Sequence, residues 1–161
     1  MADGAINVLF VCEDNSARSV MAEALLKRFG SGRFRAFSAG IEPAPQLHPL
    51  TLDMLQVSGL DTPHPKPASV REFLAFEAPA MDFVIGMGSG AAATLESWPG
   101  NPVKAQWGIT DPLTPSGSVV VQRNAFRRAF RELENRIRLF VLVRHQVSEE
   151  ANPAERVSQS A

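Results

Sequence analysis

The chain has 161 residues, of which 45% are hydrophobic and 20% charged, and its formal net charge is −1. This composition predicts one domain that folds without disulfides or metals, and it excludes a global basic field that would bind nucleic acid or anionic lipid. One cysteine excludes an internal disulfide. With no leader and no apolar stretch of about 18 residues, we expect a cytoplasmic protein with no membrane partner and a reduced thiol.

The first half of the chain predicts alternating strands and helices. Residues 6–11, INVLFV, form a run of branched apolar residues that is typical of a strand buried on both faces. Helical periodicity follows over 16–29 and stops at a GSG break. A second strand is predicted over 34–40, and a helix with proline in its first turn over 48–60.

The second half continues the pattern with a helix around 69–77, a strand over 81–88 and a weaker strand over 103–109. Residues 119–146 predict a long amphipathic helix, whose buried seam is Phe126, Phe130, Leu133, Ile137 and Phe140. Its seven arginines lie mostly off the seam, so a solvated face is favoured over nucleic-acid contact. Residues 147–161 lack apolar periodicity and predict a flexible tail.

Strands that alternate with helices predict an α/β fold, a parallel sheet with helices on both faces, in a single domain over 1–146. In such sheets, ligands bind at the carboxyl ends of the strands, near a topological switch point. Cys12 is placed at the end of the first predicted strand, and the segment that follows it leads into the first helix. The sequence therefore predicts that Cys12 lies at the ligand-binding edge of the sheet.

The segment VCEDNSARS, residues 11–19, has five residues between Cys12 and Arg18, and Ser19 follows Arg18 directly. A loop between a strand and a helix directs several N–H groups one way, and the arginine adds a planar fork for two oxygens of an anion. The same surroundings predict a thiolate of lowered pKa, with Ser19 as its hydrogen-bond donor. An inert core cysteine is the alternative. The predicted oxyanion-binding residues are Glu13, Asp14, Asn15, Ser16, Ala17, Arg18 and Ser19.

The chain resembles the low-molecular-weight protein tyrosine phosphatases and the arsenate reductases that share their fold. The resemblance rests on VLFVCEDNSARSVMAEALL, FSAG, HP, DFVI, WPG and DP, and it covers roughly 6 to 140. It implies a three-layer, doubly wound fold with a four-stranded parallel sheet. It further implies that Cys12 is the nucleophile, that Arg18 binds the oxyanion and that Asp111 is the general acid; otherwise Asp111 is an ordinary residue of an Asp-Pro turn.

Three features distinguish this chain from the usual family pattern. Glu13 and Asp14 follow the cysteine, where uncharged residues are usual, and we expect both side chains to face solvent. No second cysteine is present for an internal disulfide relay. The chain has no tyrosine, and QWGITDP over 106–112 is similar to the reductase branch.

The resemblance favours an arsenate reductase that binds no cofactor and uses an external thiol reductant, either a small cellular thiol or a glutaredoxin-like partner. The alternatives are a phosphatase that hydrolyses phosphate monoesters through a phosphocysteine, and a non-catalytic oxyanion-binding protein. The substrate is then a small oxyanion or a phosphoester.

Two local signals are weaker. GMGSG over 86–90 could be a dinucleotide-binding loop, but it lacks the full glycine spacing and an acid at a suitable distance. The three histidines, His48, His64 and His145, stand apart in sequence and predict no metal site.

Overall fold

The structure is a computed structural model that describes residues 4–114 and 116–151. Its elements, in chain order, are β1 (Ile6–Cys12), α1 (Arg18–Phe29), β2 (Phe34–Gly40), α2 (Pro49–Val57), α3 (Val70–Leu74), β3 (Phe83–Met87), α4 (Ala92–Glu96), β4 (Val103–Trp107) and α5 (Val119–Ala151). A turn of 3-10 helix over Ser89–Ala91 precedes α4.

The four strands form one parallel sheet in the order β2-β1-β3-β4. From β1 the chain moves outward to β2 on one side and then returns to β3 on the other. The strand order therefore reverses beside the carboxyl end of β1, where Cys12 pairs with Gly40. This is the switch point at which parallel sheets bind ligands.

Alternate residues of β1 serve two separate cores, because successive side chains of a strand point to opposite faces. Val8 and Phe10 pack with α1, α2 and α5 on one face of the sheet. Leu9 and Val11 pack with α3 and α4 on the other. The predicted doubly wound α/β fold, with helices on both faces, is confirmed.

Some predicted boundaries differ from those observed. The helix around 69–77 is reduced to α3, because Ala75 adopts extended backbone at ψ 151. The five-residue α4 was not predicted, since it is too short for helical periodicity to show. Helix α5 continues five residues into the predicted tail, and residues 152–161 lie outside those described.

The seam of α5 is buried as predicted at Phe126, Phe130, Leu133 and Ile137, whereas the helix's arginines from 123 to 138 are exposed. Within 4–114 and 116–151, no helix is long and apolar enough to span a membrane.

Candidate active site

The segment between β1 and α1, residues 12–18, wraps around the Cys12 thiol with its carbonyl groups turned away. Three successive carbonyls accept hydrogen bonds from the segment after β2: Cys12 O from Ile41 N at 3.1 Å, Glu13 O from Glu42 N at 2.8 Å, and Asp14 O from Ala44 N at 2.9 Å. The Ser16 carbonyl is held by Thr51 Oγ1 at 2.7 Å. The loop is thus anchored from outside, and we call residues 12–18 the anion loop.

Two polar groups contact the sulfur, one from the anion loop and one from the first turn of α1. Ser19 Oγ lies 2.8 Å from Cys12 Sγ, and Asn15 N donates to Sγ at 3.3 Å. Only 2% of Cys12 is exposed. Burial raises the pKa of the Cys12 thiol, and the hydrogen bonds from Ser19 and Asn15 oppose that rise without cancelling it. The predicted lowering of the thiol pKa is therefore wrong, because the sequence motif contains the donors but not the desolvation.

Asn15 holds the loop in shape. Its φ of 51° is in the left-handed region, which asparagine tolerates better than most residues. Its amide nitrogen donates to Ser19 Oγ at 2.8 Å and Ser38 Oγ at 2.9 Å, and its amide oxygen accepts from Ala68 N at 2.8 Å. Gly40 makes this packing possible, since a Cβ there would lie 2.9 Å from Asn15 N.

An ionic cluster around the buried Glu23 supports Asn15 from behind, and the sequence pattern did not reveal it. His64 Nε2 lies 3.0 Å from Ser38 Oγ and 3.3 Å from Glu23 Oε1, and its Nδ1 lies 2.6 Å from the Lys66 carbonyl. Lys27 Nζ is 2.9 Å from the Glu23 carboxylate. The hydrogen bond to Glu23 raises the pKa of His64 above its ordinary value. No local signal joins these residues, which come from α1, β2 and the segment after α2.

Arg18 and Asp111 meet beside the anion loop. Arg18 Nη2 lies 3.6 Å from Asp111 Oδ2, and Arg18 Nη1 donates to the Ile109 carbonyl at 3.0 Å. Asp111 also accepts from Leu113 N at 2.9 Å, so the turn contact expected of an Asp-Pro segment is present as well. The Asp111 side chain is 40% exposed and the Arg18 side chain 12%. The structure therefore brings Arg18 and Asp111 together at the end of the anion loop that begins at Cys12.

The acidic residues of the loop differ in their surroundings. Asp14 is half-buried and does not simply face solvent as predicted: its carboxylate accepts from Ser16 N at 3.2 Å and Ser16 Oγ at 2.8 Å. The Ser16 amide is thus engaged by Asp14. Glu13 is exposed, as predicted, and its carboxylate packs against Gly90.

The glycines of GMGSG make space for three side chains. A Cβ at Gly86 would collide with the Gln106 amide, one at Gly88 would lie 3.0 Å from Arg18 Nη1, and one at Gly90 would collide with the Glu13 carboxylate. These close approaches give the glycines a packing role that involves no dinucleotide.

His48 has a structural role in the fold. His48 caps α2 by accepting from Leu50 N at 3.1 Å, and its ring packs on Phe126 with centroids 4.9 Å apart. The side chain of His145 lies outside the described residues. In the part of the chain that the structure describes, no three His, Cys, Asp or Glu side chains are grouped so as to hold a metal ion.

A cysteine at the centre of an amide-lined loop, with an arginine and a carboxylate beside it, defines a cysteine-dependent enzyme of oxyanion chemistry. Comparison with known proteins agrees. The chain matches the low molecular weight phosphotyrosine protein phosphatase family over residues 7–152 and belongs to that family.

Its relatives include arsenate reductases. The arsenate reductase of Halalkalibacterium halodurans is 29% identical over 133 residues, which cover 83% of this chain and 93% of that protein. The glutaredoxin arsenate reductase of Synechocystis is 30% identical over 105 residues, 65% of this chain and 77% of that protein. The crystal structure of an arsenate reductase from Archaeoglobus fulgidus superposes with a TM-score of 0.66 at 30% identity, covering 83% of this chain and 98% of that one.

Proposed function

We propose that the protein is an arsenate reductase whose reductant is an external thiol. The observation that carries the proposal is the position of Cys12 Sγ. It is hydrogen-bonded to Ser19 Oγ and Asn15 N, and the loop that surrounds it ends at Arg18, which contacts Asp111. Similarity to arsenate reductases supports arsenate as the oxyanion.

In the first step, Cys12 Sγ attacks arsenic and a water leaves. Arg18 binds two arsenate oxygens with its fork, and the free amides of the anion loop bind the others. The pKa of Cys12 is raised, so near neutral pH the thiol enters with its proton, which passes to an oxygen of the arsenate dianion. Asp111, at the rim beside Arg18, relays this proton to the leaving hydroxide, which departs as water. The product is a Cys12–S–As(V) adduct.

In the second step, a thiol from outside attacks Cys12 Sγ, and the sulfur–arsenic electron pair leaves with arsenic as arsenite. Cys12 and the external thiol are thereby oxidised to a mixed disulfide, and arsenic is reduced by two electrons. Because the chain has one cysteine, no internal thiol can take this role. The donor is a small cellular thiol or a glutaredoxin-like protein, which the similarity to a glutaredoxin arsenate reductase supports.

The proposal extends to the domain, the cofactors, the location and the partners of the enzyme. The enzyme acts as one domain over 1–146 without a bound cofactor, works in the cytoplasm where thiols are available, and needs neither nucleic acid nor a membrane.

The alternative is a phosphate-monoester phosphatase. Its support is the family description itself, together with an Asp111 that is equally placed to protonate an alkoxide or aryloxide.

A paired assay separates the two reactions. The protein is incubated with arsenate and a small thiol, then with an aryl phosphate without thiol, and arsenite, phosphate and the mass of the intact chain are measured. Thiol-dependent arsenite release that disappears in Cys12→Ser is the expected result. Thiol-independent aryl phosphate hydrolysis with no arsenite would establish the phosphatase, and inactivity in both assays would contradict both reactions.

A further inference from the structure

The residue next to Cys12 in the anion loop carries an exposed carboxylate. Glu13 follows the cysteine directly, is exposed to solvent and packs its carboxylate against Gly90. Two residues earlier, Gly88 lies against the Arg18 guanidinium. The turn over 88–90 therefore has the arginine at one end and the Glu13 carboxylate at the other, and both side chains belong to the anion loop that begins at Cys12.

The charged side chains of the anion loop differ in whether they are paired. Arg18 is paired with Asp111 at 3.6 Å, and the Asp14 carboxylate is hydrogen-bonded to Ser16. Among the residues that the structure describes, no lysine, arginine or histidine forms an ion pair with Glu13. Once Arg18 binds an oxyanion, its positive charge is neutralised as well. The Glu13 carboxylate is then the charge that an incoming thiol meets.

We propose that Glu13 determines the charge of the thiol co-substrate, and that the enzyme prefers a thiol with a positive charge near its sulfur over an anionic one. This inference rests on the proposed function, in which an external thiol must approach the adduct on Cys12. An anionic thiol would approach both the oxyanion adduct and Glu13 with like charge, whereas a cationic thiol is attracted by both. For a protein donor, the equivalent feature is a basic surface around the reactive cysteine.

Thiol–disulfide exchange tests this preference without arsenate. Cys12–SH reacts with a symmetrical disulfide R–S–S–R to give Cys12–S–S–R and RSH, which is the same mixed disulfide as in the proposed cycle. The probes are cystamine, which is cationic, hydroxyethyl disulfide, which is neutral, and dithiodipropionate, which is anionic. Because the chain has one cysteine, the mass increase reports reaction at Cys12 alone.

The measured quantity is the ratio of the cystamine rate to the dithiodipropionate rate. We expect Glu13→Gln to lower this ratio about tenfold at low salt, since a unit charge near the reacting atoms acts in opposite directions on the two probes. Glu13→Lys should reverse the preference. Arg18 is present in every variant, so its attraction for the anionic probe cancels in the comparison. The matched control is Glu77→Gln, which removes an exposed carboxylate in the segment after α3.

Rising ionic strength should reduce the effect of Glu13, because exposed charges are screened. An unchanged ratio in both Glu13→Gln and Glu13→Lys would overturn the proposal, as would a Cys12 that reacts with none of the three disulfides. The arsenate assay separates the two levels of inference: a charge preference that depends on Glu13 without arsenite release would leave this inference standing and contradict the reductase alone.

Discussion

Arg18 Nη2 lies 3.6 Å from Asp111 Oδ2, although Arg18 follows β1 and Asp111 follows β4, two strands that β3 separates in the sheet. The same guanidinium donates to the Ile109 carbonyl at 3.0 Å. One side chain at the start of α1 thus holds the segment after β4 against the anion loop. Arg18 is therefore placed both to bind the oxyanion and to position Asp111.

Asp111→Asn should separate binding from chemistry. The amide cannot donate the proton that the leaving oxygen needs, so we expect turnover to fall by about 10²-fold or more, the usual scale for a general acid. Inhibition by inorganic phosphate should be kept or strengthened, because the carboxylate beside Arg18 is gone. Steady-state rates and phosphate inhibition constants check this, with the exposed Asp61→Asn as control. Parental turnover in Asp111→Asn would reduce Asp111 to a turn residue.

Gly88→Ala should weaken phosphate binding by displacing Arg18. The new Cβ would lie 3.0 Å from Arg18 Nη1, at a residue with φ of 91°. Gly59→Ala is the matched control, since its φ is 70° but nothing lies within 4 Å of the added Cβ. Both variants should lose stability through backbone strain, of the order of 1 kcal/mol. Phosphate titration should detect lower affinity in Gly88→Ala only, and equal affinity in the two would show that Gly88 does not position Arg18.

The Cys12 thiol should lose its proton only at alkaline pH. Burial raises its pKa, so the midpoint of ultraviolet thiolate absorbance of the parent should lie above pH 9.0, the reference value for the thiol. Ser19→Ala removes a hydrogen bond that lowers the pKa, and its titration should move to still higher pH. Cys12→Ser gives the baseline from which the thiolate signal is measured. A midpoint near neutral pH would show that the loop dipoles outweigh desolvation.

His64 should contribute stability that depends on pH. Its pKa is raised in the folded protein by the hydrogen bond to Glu23, so the protonated form favours folding. The contribution is complete below pH 6.5, the unfolded reference value, and is lost as the pH rises through the raised folded pKa. Urea unfolding of the parent and of His64→Gln should therefore differ most in acid and least in alkali. Glu77→Gln should show no such trend, and a constant difference for His64→Gln would exclude the ionic role.

Features carried by neighbouring residues could be predicted from the sequence. The apolar run before Cys12, the five-residue spacing to Arg18 and the helical period that follows define strand, anion loop and helix within one continuous stretch. Backbone geometry links such residues directly, so the pattern is sufficient. Asp111 was identified through resemblance to a family, because nothing in its own segment distinguishes an acid from a turn residue.

Only the tertiary structure revealed the contacts between segments that are far apart in the sequence, and the burial that results from them. Glu23, Ser38 and His64 form one cluster behind Asn15 because α1, β2 and the segment after α2 pack together. Two glycines of GMGSG lie against the side chains of Arg18 and Glu13, which come from the loop after β1, so their packing role could not be predicted from the segment itself. The direction of the Cys12 pKa shift has the same origin: the donors are local to the motif, but desolvation depends on how completely the surrounding elements bury the sulfur.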